Sequence, residues 1–183
     1  MAKNREQIYD ELLVIRCRQG DSRAFDELVA RWQRRLWNYA FQVVRSEAAA
    51  WDILQETWLA VIKGLSKLQD ATFFPQWIFR ILNNKCADWL RKKHLHRKLN
   101  DDLTNQAMYE SAVQKENHEE YLLHRAIPKL PADSRVLLSL RYGEGFEVNQ
   151  IAEILRIPEG TVKSRLHRTV NKLRQKMGQK QNG

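Results

Sequence analysis

Apolar residues recur every three or four positions along most of this chain, and this spacing constrains the fold more than any other feature. It places the apolar side chains on one buried face of an α-helix. No segment alternates apolar and polar residues with the period of two that a half-buried strand requires. The sequence therefore predicts an all-α protein.

The apolar spacing is interrupted between His94 and Glu119, where the chain is polar and changes from basic to acidic. Ahead of this interval, the periodic segments predict an N-terminal bundle of three or four helices in residues 1–93. Behind it, they predict a second small domain of four short helices in residues 119–183. We interpret residues 94–118 as a polar linker between the two domains.

The last two predicted helices have the spacing of a helix-turn-helix unit. They cover residues 148–155 and 158–174, and the short turn between them lets the second helix enter a DNA major groove. If Val162, Leu166 and Val170 face the core, the opposite surface presents donors for phosphates and guanine edges. These donors belong to Lys163, Ser164, His167, Arg168 and, at the margin, Arg165. The alternative is a cationic helix that only keeps the domain soluble.

A second cationic segment lies near the end of the N-terminal bundle. Between Arg80 and Lys98, Asp88 is the only acidic residue among many basic ones. Such a cationic track, with pockets that accept an unstacked base, is typical of proteins that hold single-stranded DNA. The apolar periodicity places Trp77 and Trp89 in the core, so we do not expect their rings to bind bases.

The formal net charge of +9 favours a polyanionic partner such as nucleic acid or an anionic membrane surface. The first twenty residues lack the uninterrupted apolar segment of a secretion signal, and no later segment approaches a membrane span. We therefore expect a cytoplasmic protein without membrane insertion. In a reducing compartment, Cys17 and Cys86 are expected to be free thiols.

No pattern typical of an enzyme is present in the sequence. It has no glycine-rich phosphate loop, no nucleophile elbow and no His-Glu-x-x-His motif. The five histidines do not combine with the cysteines at zinc-binding spacing. We expect no catalytic residues, no metal site and no cofactor.

The segment GFEVNQIAEILRIPEGTVKSRLHRTVNKLR, residues 145–174, resembles the C-terminal region of bacterial RNA polymerase sigma factors of the extracytoplasmic-function branch. In that family, the residues around GTVKSR form the recognition helix for the −35 promoter element. Response-regulator helix-turn-helix domains share this string in looser form. The N-terminal half of the chain must therefore distinguish a sigma factor from other helix-turn-helix proteins. Taken together, the helix face and the resemblance give as candidate −35-binding residues Arg156, Thr161, Lys163, Ser164, Arg165, His167 and Arg168.

The run FPQWIFRILNNKCADWLR, residues 74–91, resembles the region of the same family that binds and melts the −10 element. The preceding loop, SKLQDATFF, is the candidate wall of a pocket for one flipped base, because the family selects a base with this loop. The implied −10-binding residues are Phe73, Phe74, Arg80, Asn84, Lys85, Asp88, Arg91 and Lys92.

The segment DILQE, residues 52–56, resembles the part of the family that docks on the polymerase clamp. Asp52, Gln55 and Glu56 are neighbours on one helix surface, since residues three and four apart face the same side. Surface acids are commonly only solvated, so the docking role rests on the resemblance. The family also implies an anti-sigma protein as a partner.

Three residues depart from the family pattern. Trp51 stands where an acidic residue is common, and Gln150 stands where the family usually has Glu. Arg156 occupies the turn between the last two helices, where the family usually has Gly. If the backbone at Arg156 is left-handed, a residue other than glycine costs about 1 kcal/mol there.

Two motif sets in the right order predict an alternative sigma factor, a non-catalytic subunit that directs core RNA polymerase to promoters. A stand-alone helix-turn-helix regulator with a sensing or dimerising bundle is the main alternative, and it predicts palindrome binding without polymerase. An interaction protein that binds polymerase or a regulator without reading promoters is a third possibility.

Overall fold

The computed structural model describes residues 5–99 and 126–178, and this part of the chain is helical without any β-strand. The all-α prediction is therefore confirmed. The α-helices are α1 (Arg5–Arg18), α2 (Ser22–Val44), α3 (Glu47–Gly64), α4 (Phe74–Leu99), α5 (Ala132–Leu138), α6 (Val148–Leu155) and α7 (Glu159–Gly178). Short 3₁₀ turns cover Leu65–Lys67, Ala71–Phe73 and Ile127–Lys129, and a π turn covers Ser139–Gly143.

The ends of the long helices follow from capping residues. The Asp21 carboxylate accepts a hydrogen bond from the Ala24 N–H at 3.1 Å and so starts α2. Arg45, with φ 56° and ψ 40°, ends α2 in the left-handed conformation. The Ser46 hydroxyl then accepts a hydrogen bond from the Ala49 N–H and starts α3. A two-residue corner thus turns the chain back between α2 and α3.

Aromatic side chains fill the centre of the N-terminal bundle. The Trp32 ring packs edge-on against Phe74, with ring centroids 5.2 Å apart, and Tyr39 packs edge-on against Phe79 at 5.3 Å. The Tyr39 hydroxyl donates to Asn83 Oδ1 at 2.9 Å. Burial raises the pKa of Tyr39 well above its usual range, so this phenol stays protonated.

The two predicted domains pack against each other and share one apolar cluster, a feature that the sequence does not predict. Phe146, from the turn before α6, is buried against Phe79 of α4 with ring centroids 5.2 Å apart. A smaller cluster belongs to the second domain alone and comprises Ala126, Leu130, Leu138 and Leu173. Helix α4 packs against α6, the first helix of the helix-turn-helix unit.

The predicted domain boundary at residue 93 falls inside a helix, because α4 continues to Leu99. Residues 94–99 of the predicted linker therefore have helical backbone. The rest of that linker, residues 100–118, lies outside the described residues, and so do residues 119–125 at the start of the predicted second domain. The ranges 1–93, 94–118 and 119–183 stay predictions.

Candidate nucleic-acid and polymerase interfaces

Helix α7 has the orientation that its apolar stripe predicts. Val162 and Leu166 are buried, whereas polar and cationic side chains lie on the outer surface. The exposed side chains are those of Lys163, Ser164, Arg165, His167 and Arg168, with Thr161 half-buried. The buried Thr169 hydroxyl donates to Ser134 Oγ at 3.1 Å and fixes α7 on α5.

The outer side chains of α7 make only weak contacts with their own helix. Arg168 Nε donates to the Ser164 carbonyl at 3.3 Å, and Lys163 Nζ lies 3.9 Å from Glu159 Oε2. Ion pairs between side chains this exposed contribute little to stability. These cations are therefore free to reorient toward a phosphate or a base edge.

The backbone at Arg156 is left-handed, with φ 54° and ψ 46°. Its N–H donates to the Ala152 carbonyl, and the Ile157 N–H donates to the same carbonyl at 3.1 Å, which closes the end of α6. The conformation explains why glycine suits this turn. The Arg156 side chain is exposed beside the start of α7.

Gln150 performs the capping role that a glutamate would have. Its side-chain Oε1 accepts a hydrogen bond from the backbone N–H of Glu147 at 2.9 Å, at the start of α6. Glutamine and glutamate both serve at this position of a capping box. The departure at residue 150 therefore leaves the helix start intact.

Helix α4 presents a polar stripe at helical spacing. Arg80, Asn84, Asp88 and Arg91 fall on one face, since residues three and four apart are neighbours. Asn84, Asp88 and Arg91 are exposed, and Arg80 is half-buried. The Arg91 guanidinium pairs with the Asp88 carboxylate, one turn away. The stripe combines amide, acid and guanidinium groups, which suits hydrogen bonds to bases and phosphates.

Lys85, Lys92 and Lys93 are further basic residues of α4 whose side chains the structure describes. Lys85 Nζ lies 2.9 Å from Glu56 Oε2 on α3. Lys92 is exposed, and the Lys93 ammonium lies 4.7 Å from the centre of the Trp89 ring. Trp77 and Trp89 both pack partly buried against the core, as predicted.

Of the two phenylalanines predicted to line a pocket for a flipped base, only Phe73 is exposed. Phe73 is 50% exposed at the end of the 3₁₀ turn, whereas Phe74 is 1% exposed and packs on Trp32. The structure therefore contradicts the prediction that Phe74 lines the pocket. Phe74 is the first residue of α4, and its position on the helix directs the ring into the core.

Helix α3 exposes more apolar surface than the sequence predicts. Asp52, Gln55 and Glu56 are exposed on a shared face, in the arrangement expected for them. The apolar spacing also predicts that Trp51 and Ile62 are buried, and this is wrong because both are more than half exposed. The buried face of α3 instead comprises Ala49, Ala50, Ile53, Leu54, Thr57 and Val61.

Trp51, Leu59 and Ile62 form a second stripe on the outer face of α3, beside Asp52 and the other polar residues. The Trp51 ring lies 5.7 Å from Trp37, which is itself stacked on Phe41 at 5.1 Å. Exposed apolar residues rimmed by polar ones mark interaction sites. Sequence reasoning missed this stripe because its spacing also fits a buried face.

Arg165 lies at the junction of the two domains. It lines a cleft of about 180 Å³ together with Asn83, Ala87 and Leu90 of α4. Val43 of α2, four residues of α5, Leu155 and Ile157 complete the lining. One predicted −35 residue is thus placed against the predicted −10 helix in this arrangement.

Both cysteines are free thiols, as predicted. Burial raises the pKa of Cys86 to about 12 and also raises the pKa of the half-buried Cys17. In residues 5–99 and 126–178, no three His, Cys, Asp or Glu side chains are grouped closely enough to hold a metal ion. Within the same ranges, no helix has the length and apolar character to span a bilayer.

Two family models match the chain. The model described as Sigma-70 region 2 matches residues 28–95, and the model described as Sigma-70, region 4 matches residues 121–173. The chain is also 30% identical, over 175 residues, to the ECF RNA polymerase sigma-E factor of Salmonella typhimurium, an alignment that covers 89% of this chain and 91% of that protein. The chain belongs to the extracytoplasmic-function (ECF) family of RNA polymerase sigma factors.

Another relative of this sigma factor is the RNA polymerase sigma-H factor of Pseudomonas aeruginosa. It is 29% identical over 175 residues, which cover 88% of this chain and 90% of that protein. CnrH, solved in complex with the cytosolic domain of CnrY, aligns with a TM-score of 0.63 and 25% identity over 90% of this chain and 94% of that one.

The sigma factor RpoE of Bartonella quintana, solved with the anti-sigma factor NepR, has the same fold. It aligns with a TM-score of 0.74 and 22% identity over 84% of this chain and 96% of that one. The predicted helical architecture of an N-terminal bundle and a C-terminal helix-turn-helix domain is thereby confirmed.

Sigma factors are non-catalytic specificity subunits of RNA polymerase. This sigma factor binds core polymerase and directs promoter-specific initiation, with its C-terminal region on the −35 element and its N-terminal region on the −10 element. The two alternatives, a stand-alone regulator and a polymerase-binding protein that reads no promoter, do not account for both matched regions in this order.

Proposed function

We propose that the exposed face of α7 reads the −35 element. The observation that carries this assignment is the division of α7 into a buried apolar stripe, with Val162 and Leu166, and an exposed stripe of donors. A helix with its N-terminal turns in the major groove presents such donors to base edges and phosphates. The proposed −35 contacts are Arg156, Thr161, Lys163, Ser164, Arg165, His167 and Arg168.

The polar stripe of α4 is the proposed −10 surface. Arg80, Asn84, Asp88 and Arg91 follow one line along the helix, and Phe73 stands exposed beside its first turn. Capture of an unstacked base by such a surface offsets part of the cost of strand separation. Lys85 and Lys92 lie at the margins of the stripe, where they reach the phosphate backbone.

The outer face of α3 is the proposed docking surface for core polymerase. Asp52, Gln55 and Glu56 lie on the opposite side of α3 from the buried residues, on a chain whose formal net charge is +9. An acidic and amide surface repels DNA and suits a protein with basic side chains. Trp51 and Leu59 add apolar contact area to the same surface.

A protein regulator is the further partner that we propose. CnrH, which is 25% identical to this chain, was solved with the cytosolic domain of CnrY bound to it. The ECF family membership supports an anti-sigma protein that covers the polymerase or DNA surfaces. Since core polymerase and the chromosome are the working partners, we also propose that the protein acts in the cytoplasm.

The experiment that tests the proposed function is reconstitution of transcription with sigma-free core polymerase. We expect the purified protein to yield discrete transcript starts on genomic DNA, each preceded by the same pair of upstream elements. A variant that combines Lys163→Ala with Arg168→Ala should abolish most of these starts. The control Arg34→Ala removes an exposed arginine of α2 and should leave them unchanged. Starts without shared upstream elements would overturn the proposal.

A further inference from the structure

Helix α7 has a glycine at its second position that the fold itself does not require. Gly160 follows Glu159, the first residue of the helix, and is exposed. A Cβ at Gly160 would meet no atom of the described residues within 4 Å. Its φ is not positive, unlike those of Gly20 and Gly145. Neither packing nor backbone conformation within the described chain therefore calls for glycine here.

Another helical glycine shows the difference. A Cβ at Gly64 of α3 would lie 3.0 Å from the Trp77 ring, so the packing of α3 on α4 requires glycine at that position. A glycine inside a helix lowers stability relative to alanine, because it loses more backbone freedom on folding. At Gly160 no contact among the described residues offsets this loss. The reason for the glycine is then to be sought in a partner that approaches α7 from outside.

Gly160 lies at the centre of the outward face of α7. Successive residues of an α-helix are about 100° apart, so Gly160 is nearly opposite Val162, which is fully buried. Ser164, one turn further along, is in the same way opposite the buried Leu166. Gly160 and Ser164 are both exposed. Together they form the line of α7 that is farthest from the core.

This outermost line has no protruding side chain in the first two turns of the helix. The Ser164 hydroxyl donates to the Thr161 carbonyl at 3.1 Å, which holds it against its own helix. Arg168 is the first long side chain on the line, and its Nε donates back to the Ser164 carbonyl at 3.3 Å. Lys163 lies to one side of the line. The N-terminal half of the outward face is therefore bare backbone with cationic side chains at its borders.

The dimensions of DNA explain what such a bare line allows. The major groove is about 12 Å wide, and a helix with its side chains is about 10–12 Å across. The fit is close, so the depth that a helix reaches in the groove depends on the side chains of its outermost line. Recognition helices contact base edges with their N-terminal residues. A glycine in the first turn of α7 lets these base edges approach the backbone itself.

We propose that base edges of the −35 element pack directly on the α7 backbone at Gly160, and that the missing side chain sets the depth at which Lys163 and Arg168 reach their bases. Gly160 is then a positioning residue for promoter recognition. This inference rests on the proposed −35 role of α7. Binding to unrelated DNA depends on phosphate contacts, which do not require the helix to reach the floor of the groove. The loss of depth therefore affects specific binding alone.

Substitutions of increasing size at Gly160 test the proposal in the complex of the full chain with core polymerase. Affinity is measured for promoter fragments whose upstream element is intact or scrambled. Gly160→Ala should lower affinity for the intact fragment about tenfold and leave that for the scrambled fragment within about twofold. Gly160→Leu should reduce affinity for the intact fragment to that for the scrambled one. Wild-type affinity of Gly160→Ala for the intact fragment would overturn the proposal.

Thermal unfolding and a second glycine provide the controls. Gly160→Ala should raise Tm by about 1–3 °C, because alanine is the better helix former, so the lost binding does not come from unfolding. Gly143→Ala changes an exposed glycine before α6, where the added Cβ would lie 3.7 Å from Ser139 Oγ, an ordinary contact. It should leave both affinities unchanged. An equal loss in Gly143→Ala, or an equal loss on both fragments in Gly160→Ala, would overturn the proposal.

The wild-type complex separates this inference from the proposed function. Equal wild-type affinity for the intact and the scrambled fragment would mean that α7 does not read the −35 element, and the proposed function would fail. A wild-type preference for the intact fragment that Gly160→Ala retains in full would leave the proposed function standing and remove the role of Gly160.

Discussion

Arg156 combines a strained backbone with a cationic side chain at the edge of the proposed −35 surface. Its φ of 54° is one that glycine adopts without cost, and the side chain is exposed. The sequence reveals the unusual residue but not the backbone angle, because the angle depends on where α6 ends. The sequence indicates a left-handed backbone at this position only because the family usually has glycine there.

Replacement of Arg156 with Gly should raise stability and weaken DNA binding. Relief of the left-handed strain is worth about 1 kcal/mol, less the entropy that glycine adds to the unfolded chain. Thermal unfolding measures the first effect and −35 duplex binding the second. Arg45→Gly relieves the same backbone strain at the end of α2, away from α7, and should raise stability alone. Unchanged DNA binding in the Arg156 variant would contradict a phosphate contact.

Arg168 is exposed on α7, with only a long hydrogen bond to its own helix. Replacement with Ala should lower affinity for the −35 duplex by about 1–3 kcal/mol and relax the preference at one base pair, if Arg168 reads a base. A uniform loss across sequences would make it a phosphate contact. Competition binding against duplexes with single base changes distinguishes the two, and full affinity for every duplex would remove Arg168 from the surface.

At the scale of elements, the buried face of a helix can be predicted when its apolar residues fit only one face. On α7, Val162, Leu166 and Val170 define one stripe, and the structure confirms it. On α3, Trp51 and Ile62 fit the apolar spacing but lie outside, since small residues such as Ala50 fill the inner face. The positions of large apolar residues therefore do not predict the buried face of a helix when small residues pack on that face.

Replacement of Trp51 with Ala should weaken binding to core polymerase while leaving the folded state intact. The ring is 51% exposed, so little packing is lost, whereas a tryptophan at a docking surface often contributes about 2 kcal/mol. Equilibrium binding to core polymerase and thermal unfolding measure the two effects. Ile8→Ala removes a side chain of similar exposure from α1 and is the control. An equal loss of affinity for core polymerase in both variants would argue against a specific role for Trp51.

The N-terminal cap of α2 should make stability fall in acid. Hydrogen bonds from the Ala24 N–H and from Arg16 lower the pKa of Asp21. Because the folded pKa is below the unfolded value of about 3.9, this contribution is present at neutral pH. It is lost as the pH falls below about 4 toward the folded pKa. Asp21→Asn keeps a capping side chain without the titrating charge, so the difference in Tm between the two proteins should shrink between pH 6 and pH 3. A difference that stays constant would contradict this assignment.

At the scale of the whole molecule, the sequence predicts the two regions but not their contact. Each helix of the N-terminal bundle and of the helix-turn-helix domain has its own local apolar pattern. Those patterns are enough to predict the order of the helices along the chain. The Arg35–Glu144 pair joins residues that are far apart in sequence, and no local signal marks it. Likewise, nothing in the sequence around Phe146 indicates that its ring enters the core of the other domain.

The central claim is that one chain reads two promoter elements through two separate helix faces. The most direct test maps transcript starts on genomic DNA for core polymerase with the wild type, Arg168→Ala or Asn84→Ala. We predict that Arg168→Ala alters base preference only in the upstream element of the selected promoters, and that Asn84→Ala alters it only in the downstream element. Unaltered preferences in both variants, or changes that fall in the same element, would contradict the account.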